Sequence, residues 1–237
     1  NSGINAVTNT FTVTVTAVND APTLGAIDNV TILEDAAGQT VNLSGISAGQ
    51  SNESQTLTVT ASSSDTALVP SPTVTYTSAN ATGTLSFTPV SHANGSATIT
   101  VVVADDGGTS NSGVNAVTNT ITVTVTAVND APTLGAIDNV TILEDAPGQT
   151  VNLSGIGAGQ SNESQTLTVT ASSSDTALVP NPAVSYTSAN ATGTLSFTPV
   201  SHANGSATIT VVVADDGGTD NSGINAVTNT FTVTVTA

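Results

Sequence analysis

The chain has 237 residues, of which 17 are acidic and none is lysine or arginine, so its formal net charge is −17 at pH 7. A chain without lysine or arginine cannot neutralise phosphate groups, which argues against nucleic acids and anionic membranes as partners and favours cations. The absence of cysteine excludes disulfides and thiolate metal sites.

The sequence repeats itself almost without change. Residues 18–127 match residues 128–237 at all but eight positions, which predicts two successive domains of ordinary single-domain length. Residues 1–17 copy the last 17 residues of the second repeat, and we expect them to be the last strand of a preceding repeat in a longer array. No run of about 18 apolar residues occurs, so no membrane span is predicted.

In each repeat, apolar residues alternate with threonine, which predicts β-strands with one buried and one exposed face. The clearest example is VTNTITVTVTA, in which Ile121, Val123 and Val125 share a face. Segments rich in Gly, Pro, Asn, Asp and Ser separate the strands. Seven strands are predicted in the first repeat, at 29–33, 40–46, 55–61, 73–77, 83–89, 97–105 and 117–127.

Seven short strands without a helical period predict an all-β fold. We expect each repeat to be an immunoglobulin-like, seven-stranded antiparallel β-sandwich, and the repeats to form an elongated tandem array. Tyr76 and Phe87 are nearly the only aromatic residues of the repeat body, so the core is expected to consist mainly of small aliphatic side chains.

Acidic and amide residues are expected to collect at the two ends of each domain, because successive strands cross the sandwich in opposite directions. The lower end of the first domain and the joint after it carry Glu34, Asp35, Asn129 and Asp130. The upper end of the second domain carries Asn162, Glu163, Asp215 and Asp216. The corresponding residues of the first domain are Asn19, Asp20, Asn52, Glu53, Asp105 and Asp106.

These residues predict a Ca²⁺ site at the junction of the domains. Crowded carboxylates repel one another unless a cation joins them, and the chain has no lysine or arginine to do so. Carboxylate, amide and carbonyl oxygens are the ligands of Ca²⁺. The alternative is that they are solvated loop residues, since Asp and Asn favour turns for backbone reasons alone.

Several motifs carry a resemblance to a known family. The run VVVADDGG, the alternating strand after it, VTAVNDAPTL and ILEDAAGQTV resemble the succession of motifs at a cadherin junction. More closely, ILED, GQTVNLSGI, FTPVSHANGSATITVVVADDGG and VNDAPT resemble the cadherin-like tandem repeats of giant bacterial surface adhesins, over the whole repeat.

The resemblance implies an extracellular, cell-surface location and calcium ions shared between an early Glu, the joint and the next domain. On this sequence those positions are Glu34, Asn129, Asp130 and Asp215. Ala127 stands where a cadherin joint has its first Asp, and SNES replaces the D-x-D loop. Fewer or weaker ions are therefore implied than at a cadherin junction.

No catalytic set is predicted. His92 and its copy His202 lie in a predicted turn, SHANGS, with no Ser or Asp partner at a defined spacing, so we expect exposed turn histidines and not a triad or a zinc site. The adjacent acids Asp105 and Asp106 occupy a glycine turn without an aromatic cleft, which does not support glycosidase chemistry.

The predicted function is that of spacer repeats in a large extracellular adhesin or matrix protein, stiffened by Ca²⁺, with neighbouring repeats of the same chain as partners. An alternative is a self-assembling fibre, in which residues 1–17 occupy the last-strand position of an identical chain. A ligand-binding adhesin domain would need an exposed aromatic or basic patch, which the composition does not offer.

Overall fold

The computed structural model describes residue 3 and residues 6–237. The chain divides into two compact units. The first unit consists of the described residues up to Ile32 together with 36–90 and 96–124. The second consists of 33–35, 91–95 and 125–237, so it takes in three short segments of the first sequence repeat, the third being 125–127.

Each repeat contains the seven predicted strands, and the all-β fold class is confirmed. The strands of the first repeat are β1 (Val30–Leu33), β2 (Gln39–Leu43), β3 (Leu57–Ser63), β4 (Thr73–Thr75), β5 (Gly83–Phe87), β6 (Gly95–Asp105) and β7 (Ala116–Thr126). Those of the second are β8 (Val140–Leu143), β9 (Gln149–Leu153), β10 (Leu167–Ser173), β11 (Ala183–Ser185), β12 (Gly193–Phe197), β13 (Gly205–Asp215) and β14 (Ala226–Thr236). A short 3-10 turn, Ser110–Ser112 or Asp220–Ser222, precedes the last strand of each repeat.

The strands of each repeat form a four-stranded and a three-stranded sheet. The orders are β1-β7-β6-β3 and β2-β5-β4 in the first repeat, and β8-β14-β13-β10 and β9-β12-β11 in the second. One pair departs from the predicted antiparallel pattern, because β8 runs parallel to β14, with Val140 opposite Val233. The first and the seventh of seven alternating strands point the same way, so they are parallel once they become neighbours.

The alternation of valine and threonine decides which face is buried. Val123 is 0% exposed and Val125 is 2% exposed in β7, whereas Thr124 between them is exposed. Ile121 and its counterpart Phe231 are both buried although their side chains differ in shape. Each such side chain contributes roughly 1.5–3 kcal/mol when it leaves water, so the last strand is a main source of stability in each repeat.

Residues 6–17 do not form the strand that their sequence predicts. All of them are exposed, and Phe11 and Val15 are each 88% exposed. The identical sequence in β14 is a strand because β13 and β8 pair with it on either side. A lone strand leaves its backbone groups unpaired and its apolar face in water. Residues 6–17 therefore have no partner strand among the described residues of this chain, and their assignment to the last strand of a preceding repeat stays a prediction.

A polar residue interrupts the apolar face of each last strand. Asn119 is half-buried, and its Nδ2 donates to the carbonyl of Leu24 at 3.2 Å and to that of Gly25 at 2.9 Å. Asn229 makes the same two bonds in the second repeat, both at 3.0 Å. These bonds attach the irregular segment before the first strand to the last strand of the same repeat.

Replacing both Asn119 and Asn229 with alanine is expected to lower the free energy of unfolding of each repeat by about 1–3 kcal/mol, because two half-buried carbonyls lose their donor. Urea denaturation of the full chain, followed by circular dichroism, measures the change. The control replaces the exposed Thr118 and Thr228 with alanine, which should cost less than about 1 kcal/mol. Equal losses in the two variants would show that the asparagine bonds contribute nothing.

Candidate metal centre

Asn129 connects the start of the second repeat to the turn after β13. Its Nδ2 donates to Asp215 Oδ1 at 2.9 Å and to the carbonyl of Ile224 at 2.8 Å. Its Oδ1 accepts a bond of 2.8 Å from Gln165 Nε2. Asp215 is only 8% exposed, and its Oδ2 is buried without a hydrogen-bond partner. The network therefore holds a buried carboxylate with one oxygen unused.

Gly217, in the acidic turn, leaves the space that the side chain of Asn129 needs beside Asp215. A Cβ at Gly217 would overlap Oδ1 and Cγ of Asn129. The backbone amide of Gly217 also donates to Asp215 Oδ1 at 2.9 Å. The sequence ADDGG therefore supplies both the carboxylate and the space beside it. Gly107 has the same relation to Asn19 in the first repeat.

Two further predicted ligands accept hydrogen bonds from backbone amides. Glu163 Oε1 accepts from the amide of Asp130 at 2.8 Å and from Gln165 Nε2 at 3.1 Å. Asp216 Oδ1 accepts from the amide of Thr166 at 2.7 Å. Turn stabilisation alone explains Asp216, whereas Glu163 also lines an open cleft.

Glu34 has the lowest exposure among the buried acids, at 5%. Its Oε1 accepts from the amide of Val128 at 2.6 Å, and its Oε2 accepts from Asn162 Nδ2 at 3.4 Å. The chain has no lysine or arginine to pair with it, and an ionised carboxylate buried without a cation is costly. Its copy Glu144 is half-buried, so identical sequence gives two different environments.

Several of these side chains line an open cleft of about 370 Å³ in the second unit. We call it the Glu34 cleft; its polar lining includes Glu34, Asn94, Asn129, Asn162, Glu163 and Gln165. Gln165 Oε1 is buried and lacks a hydrogen-bond partner. A water molecule occupies about 30 Å³ in the liquid, so an ion and several waters fit. Carboxylate and amide oxygens are the donor set of a hard cation such as Ca²⁺.

The first unit repeats the network around Asn19. Asn19 Nδ2 donates to Asp105 Oδ1 at 2.9 Å, and the amide of Asp20 donates to Glu53 Oε1 at 2.7 Å. Asp106 Oδ1 accepts from the amide of Thr56 at 2.8 Å. The equivalent cleft is lined by Asn19, Asn52, Glu53 and Gln55. Within the described part of the chain, its lining includes no counterpart of Glu34.

The remaining predicted ligands, Asp35 and Asp130, lie around His92. His92 Nδ1 is 3.1 Å from Asp35 Oδ2 and 3.3 Å from Asp130 Oδ2. The expectation of an exposed turn histidine is therefore wrong for His92, which is half-buried beside two carboxylates, and is confirmed for His202. No local pattern in the sequence signals this contact, because Asp35 is 57 residues away and reaches His92 only through the fold. The ligands predicted at the joint between the repeats thus form two groups and not one.

Two sheets per repeat, with the first strand beside the last, define a tandem of immunoglobulin-like or cadherin-like β-sandwich domains. No family model and no curated protein matches the chain. Among the described residues, no helix is long and apolar enough to cross a membrane.

The chain is similar to several solved structures at low sequence identity. Human mucin-like protocadherin EC1-2 is 14% identical over 90% of this chain and 97% of that chain, with a TM-score of 0.44. Titin domains Z1Z2, solved in complex with telethonin, are 15% identical over 92% and 98%, with a TM-score of 0.39. Domains 4 and 5 of the S-layer protein SbsC are 22% identical over 76% and 70%, with a TM-score of 0.31. Membership of the β-sandwich class rests on the strand order and not on these likenesses.

Replacing Gly217 with alanine is expected to lower the free energy of unfolding by about 2 kcal/mol or more, because Asn129 must move while Asp215 stays buried and loses a donor. Urea denaturation of the full chain measures the loss. The control is Gly148→Ala, whose new Cβ would lie 3.3 Å from Thr198 Oγ1, a side-chain atom that can move; its cost should be about 1 kcal/mol or less. If Gly217→Ala lowers the free energy of unfolding no more than the control does, Asn129 does not pack against Gly217 as described.

Proposed function

We propose that the chain is a pair of spacer repeats from a large extracellular protein, of the bacterial surface adhesin or matrix type, and that Ca²⁺ bound in the Glu34 cleft stiffens it. The proposal rests on the burial of Glu34. This acid is 5% exposed in a chain without lysine or arginine, and it shares a cleft with Glu163 and the unpartnered amide oxygen of Gln165.

The oxygen atoms that the cleft offers as ligands suit a hard cation. Glu34, Asn162, Glu163 and Gln165 would hold the ion, and water would complete the six to eight oxygen ligands that Ca²⁺ takes. The ion supplies the positive charge that the chain lacks and offsets the burial of Glu34. A site with few carboxylates fits the affinity of extracellular modules, with Kd of roughly 10⁻⁴ to 10⁻³ M.

The position of these residues in the sequence supports a mechanical role. Glu34 follows β1 of the first repeat directly, whereas Asn162 and Glu163 belong to the second repeat. An ion bound to both would restrict rotation at the joint, residues 127–130. The near-identity of the repeats, which differ at eight positions, supports a role in which length matters more than the surface of each domain.

Calcium is expected to raise the thermal midpoint of the full chain and the maximum dimension measured by X-ray scattering, relative to the chain in EDTA. At a concentration 100-fold above Kd, binding contributes about 2.7 kcal/mol to stability. Glu34→Gln should remove most of this gain, because the cleft loses its buried charge. Glu144→Gln, the same change in the second repeat, should retain it. Absence of binding heat together with an unchanged midpoint would reject the calcium mechanism.

A specific observation favours a second candidate, a fibre joined by strand donation. Residues 6–17 present an alternating apolar face that is fully outside the core: Val7 is 90% exposed, Phe11 88% and Val13 70%. Their sequence is identical to that of β14, so they fit the last-strand position of another copy of the chain. Exchange of an identical element is a low-cost route to association.

Deletion of residues 1–17 distinguishes the two candidates. If the chain is a spacer, light scattering should give the mass of a single chain before and after the deletion. A fibre would instead change from an associated state to a single chain. Phe11→Ser should reproduce the effect of the deletion in that case, because it removes the largest exposed apolar side chain of the segment. An unchanged associated state in the deletion variant would contradict both candidates.

A further inference from the structure

Three side chains that can bind a metal ion converge beside the Glu34 cleft. We call them the His92 cluster: Asp35, which follows β1, His92, which follows β5, and Asp130 of the joint. One ligand atom from each lies within 4.8 Å of the others. We propose that the His92 cluster binds a transition-metal ion of the Zn²⁺ type, and that this site is separate from the calcium site proposed above.

The ligand types decide the class of ion. Ca²⁺ takes oxygen ligands, whereas an imidazole nitrogen suits Zn²⁺ and the metals near it. One histidine and two carboxylates make three protein ligands, which leaves a fourth tetrahedral position open for water or another ligand. The Glu34 cleft offers oxygens alone, so the two groups of acids differ in the ions they should select.

The distances suit a small ion. Ligands bonded to Zn²⁺ at 2.0–2.2 Å in a tetrahedron lie about 3.3–3.6 Å apart. His92 Nδ1 is 3.1 Å from Asp35 Oδ2 and 3.3 Å from Asp130 Oδ2. Small side-chain rotations therefore suffice to admit the ion. The side chains of His92 and Asp130 are 39% and 30% exposed, which leaves a route for an ion from solvent.

The fold positions two of the ligands before any ion binds. The backbone amide of His92 donates to Asp35 Oδ1 at 3.0 Å, which directs Oδ2 of the same carboxylate towards the imidazole. Asp35 and His92 both have left-handed backbone conformations, with φ of 59° and 56°, which are uncommon for residues other than glycine. The second repeat builds the same pair from Asp145 and His202, with an Nδ1–Oδ2 distance of 3.1 Å.

The pair of Asp35 and His92 has a third ligand beside it, Asp130, and this distinguishes it from the pair of Asp145 and His202. His92 Nδ1 and Asp130 Oδ2 are shielded from solvent and have no hydrogen-bond partner. The side chain of His202, in contrast, is 87% exposed. Among the residues that the structure describes, only the first copy forms a cluster of three. The pair of Asp145 and His202 is therefore an internal control with the same local sequence and one ligand fewer.

Calorimetric titration of the full chain with Zn²⁺, in saturating Ca²⁺, tests the proposal. We expect one Zn²⁺ per chain. His92→Asn and Asp130→Asn should each weaken binding by at least about 10- to 100-fold, the loss that follows from removing even an outer-shell partner. Asparagine is chosen because it tolerates the left-handed conformation of residue 92. His202→Asn and Asp145→Asn should leave the affinity unchanged.

Two further measurements make the result specific to this cluster. Co²⁺ bound in place of Zn²⁺ should give the visible absorption of a low-coordinate nitrogen and oxygen site in the parent chain but not in His92→Asn. Glu34→Gln, which alters the Glu34 cleft, should leave Zn²⁺ binding intact, so failure of the calcium proposal and failure of this one can be told apart. Circular dichroism confirms that each variant is folded.

Several outcomes would overturn the proposal. No binding of Zn²⁺ would mean that His92 is held by the two carboxylates without a metal. Two ions per chain, with equal losses in His92→Asn and His202→Asn, would mean that the third ligand is irrelevant. Binding of Zn²⁺ in the absence of Ca²⁺ that is lost in saturating Ca²⁺ would mean that both ions use the same oxygens.

Discussion

Every buried carboxylate of this chain has to be stabilised without a basic side chain. Amide groups supply part of that stabilisation. Asp215 accepts from Asn129 and from the backbone of Gly217, and Glu34 accepts from the backbone of Val128 and from Asn162. A hydrogen bond to a charged group contributes about 1.5–3 kcal/mol, but it does not cancel the charge. The hydrogen bonds of the acidic loops meet part of this constraint, and the proposed cation would meet the rest.

The two copies of the repeat show that local sequence does not determine the environment of an acid. Glu34 and Glu144 follow equivalent strands, yet Glu34 is buried and Glu144 is half-buried. His92 and His202 occupy the same turn, yet their side chains are 39% and 87% exposed. The residues 33–35, 91–95 and 125–127 are the segments of the first repeat that belong to the second compact unit. The candidate sites are therefore properties of successive repeats and not of one repeat.

The strands were predictable because the alternation of valine and threonine is a local signal, and the order of the strands then indicated the end of the sandwich at which each acid lies. The grouping of the acids was not predictable, because it depends on a few ångströms of side-chain position. Gln165 was missed as a cleft residue, since an amide in a polar loop carries no distinctive sequence signal. Residues 6–17 show that the alternating pattern alone does not make a strand. A strand also needs neighbouring strands to pair with, and the pattern does not specify them.

The separation of the acids into two groups has a simple origin in the backbone. Glu34 follows β1 directly, and its backbone amide donates to the carbonyl of Thr126 at 2.9 Å, whereas Asp35 has a left-handed conformation, with φ of 59°, which turns the chain. Their carboxylates consequently reach different neighbours: Glu34 contacts Val128 and Asn162, and Asp35 contacts His92. The joint divides in the same way, since Asn129 binds Asp215 while the side chain of Asp130 lies beside His92. Under the two metal proposals, adjacent polar residues would serve two ions of different chemistry, and the imidazole would determine which group selects the softer ion.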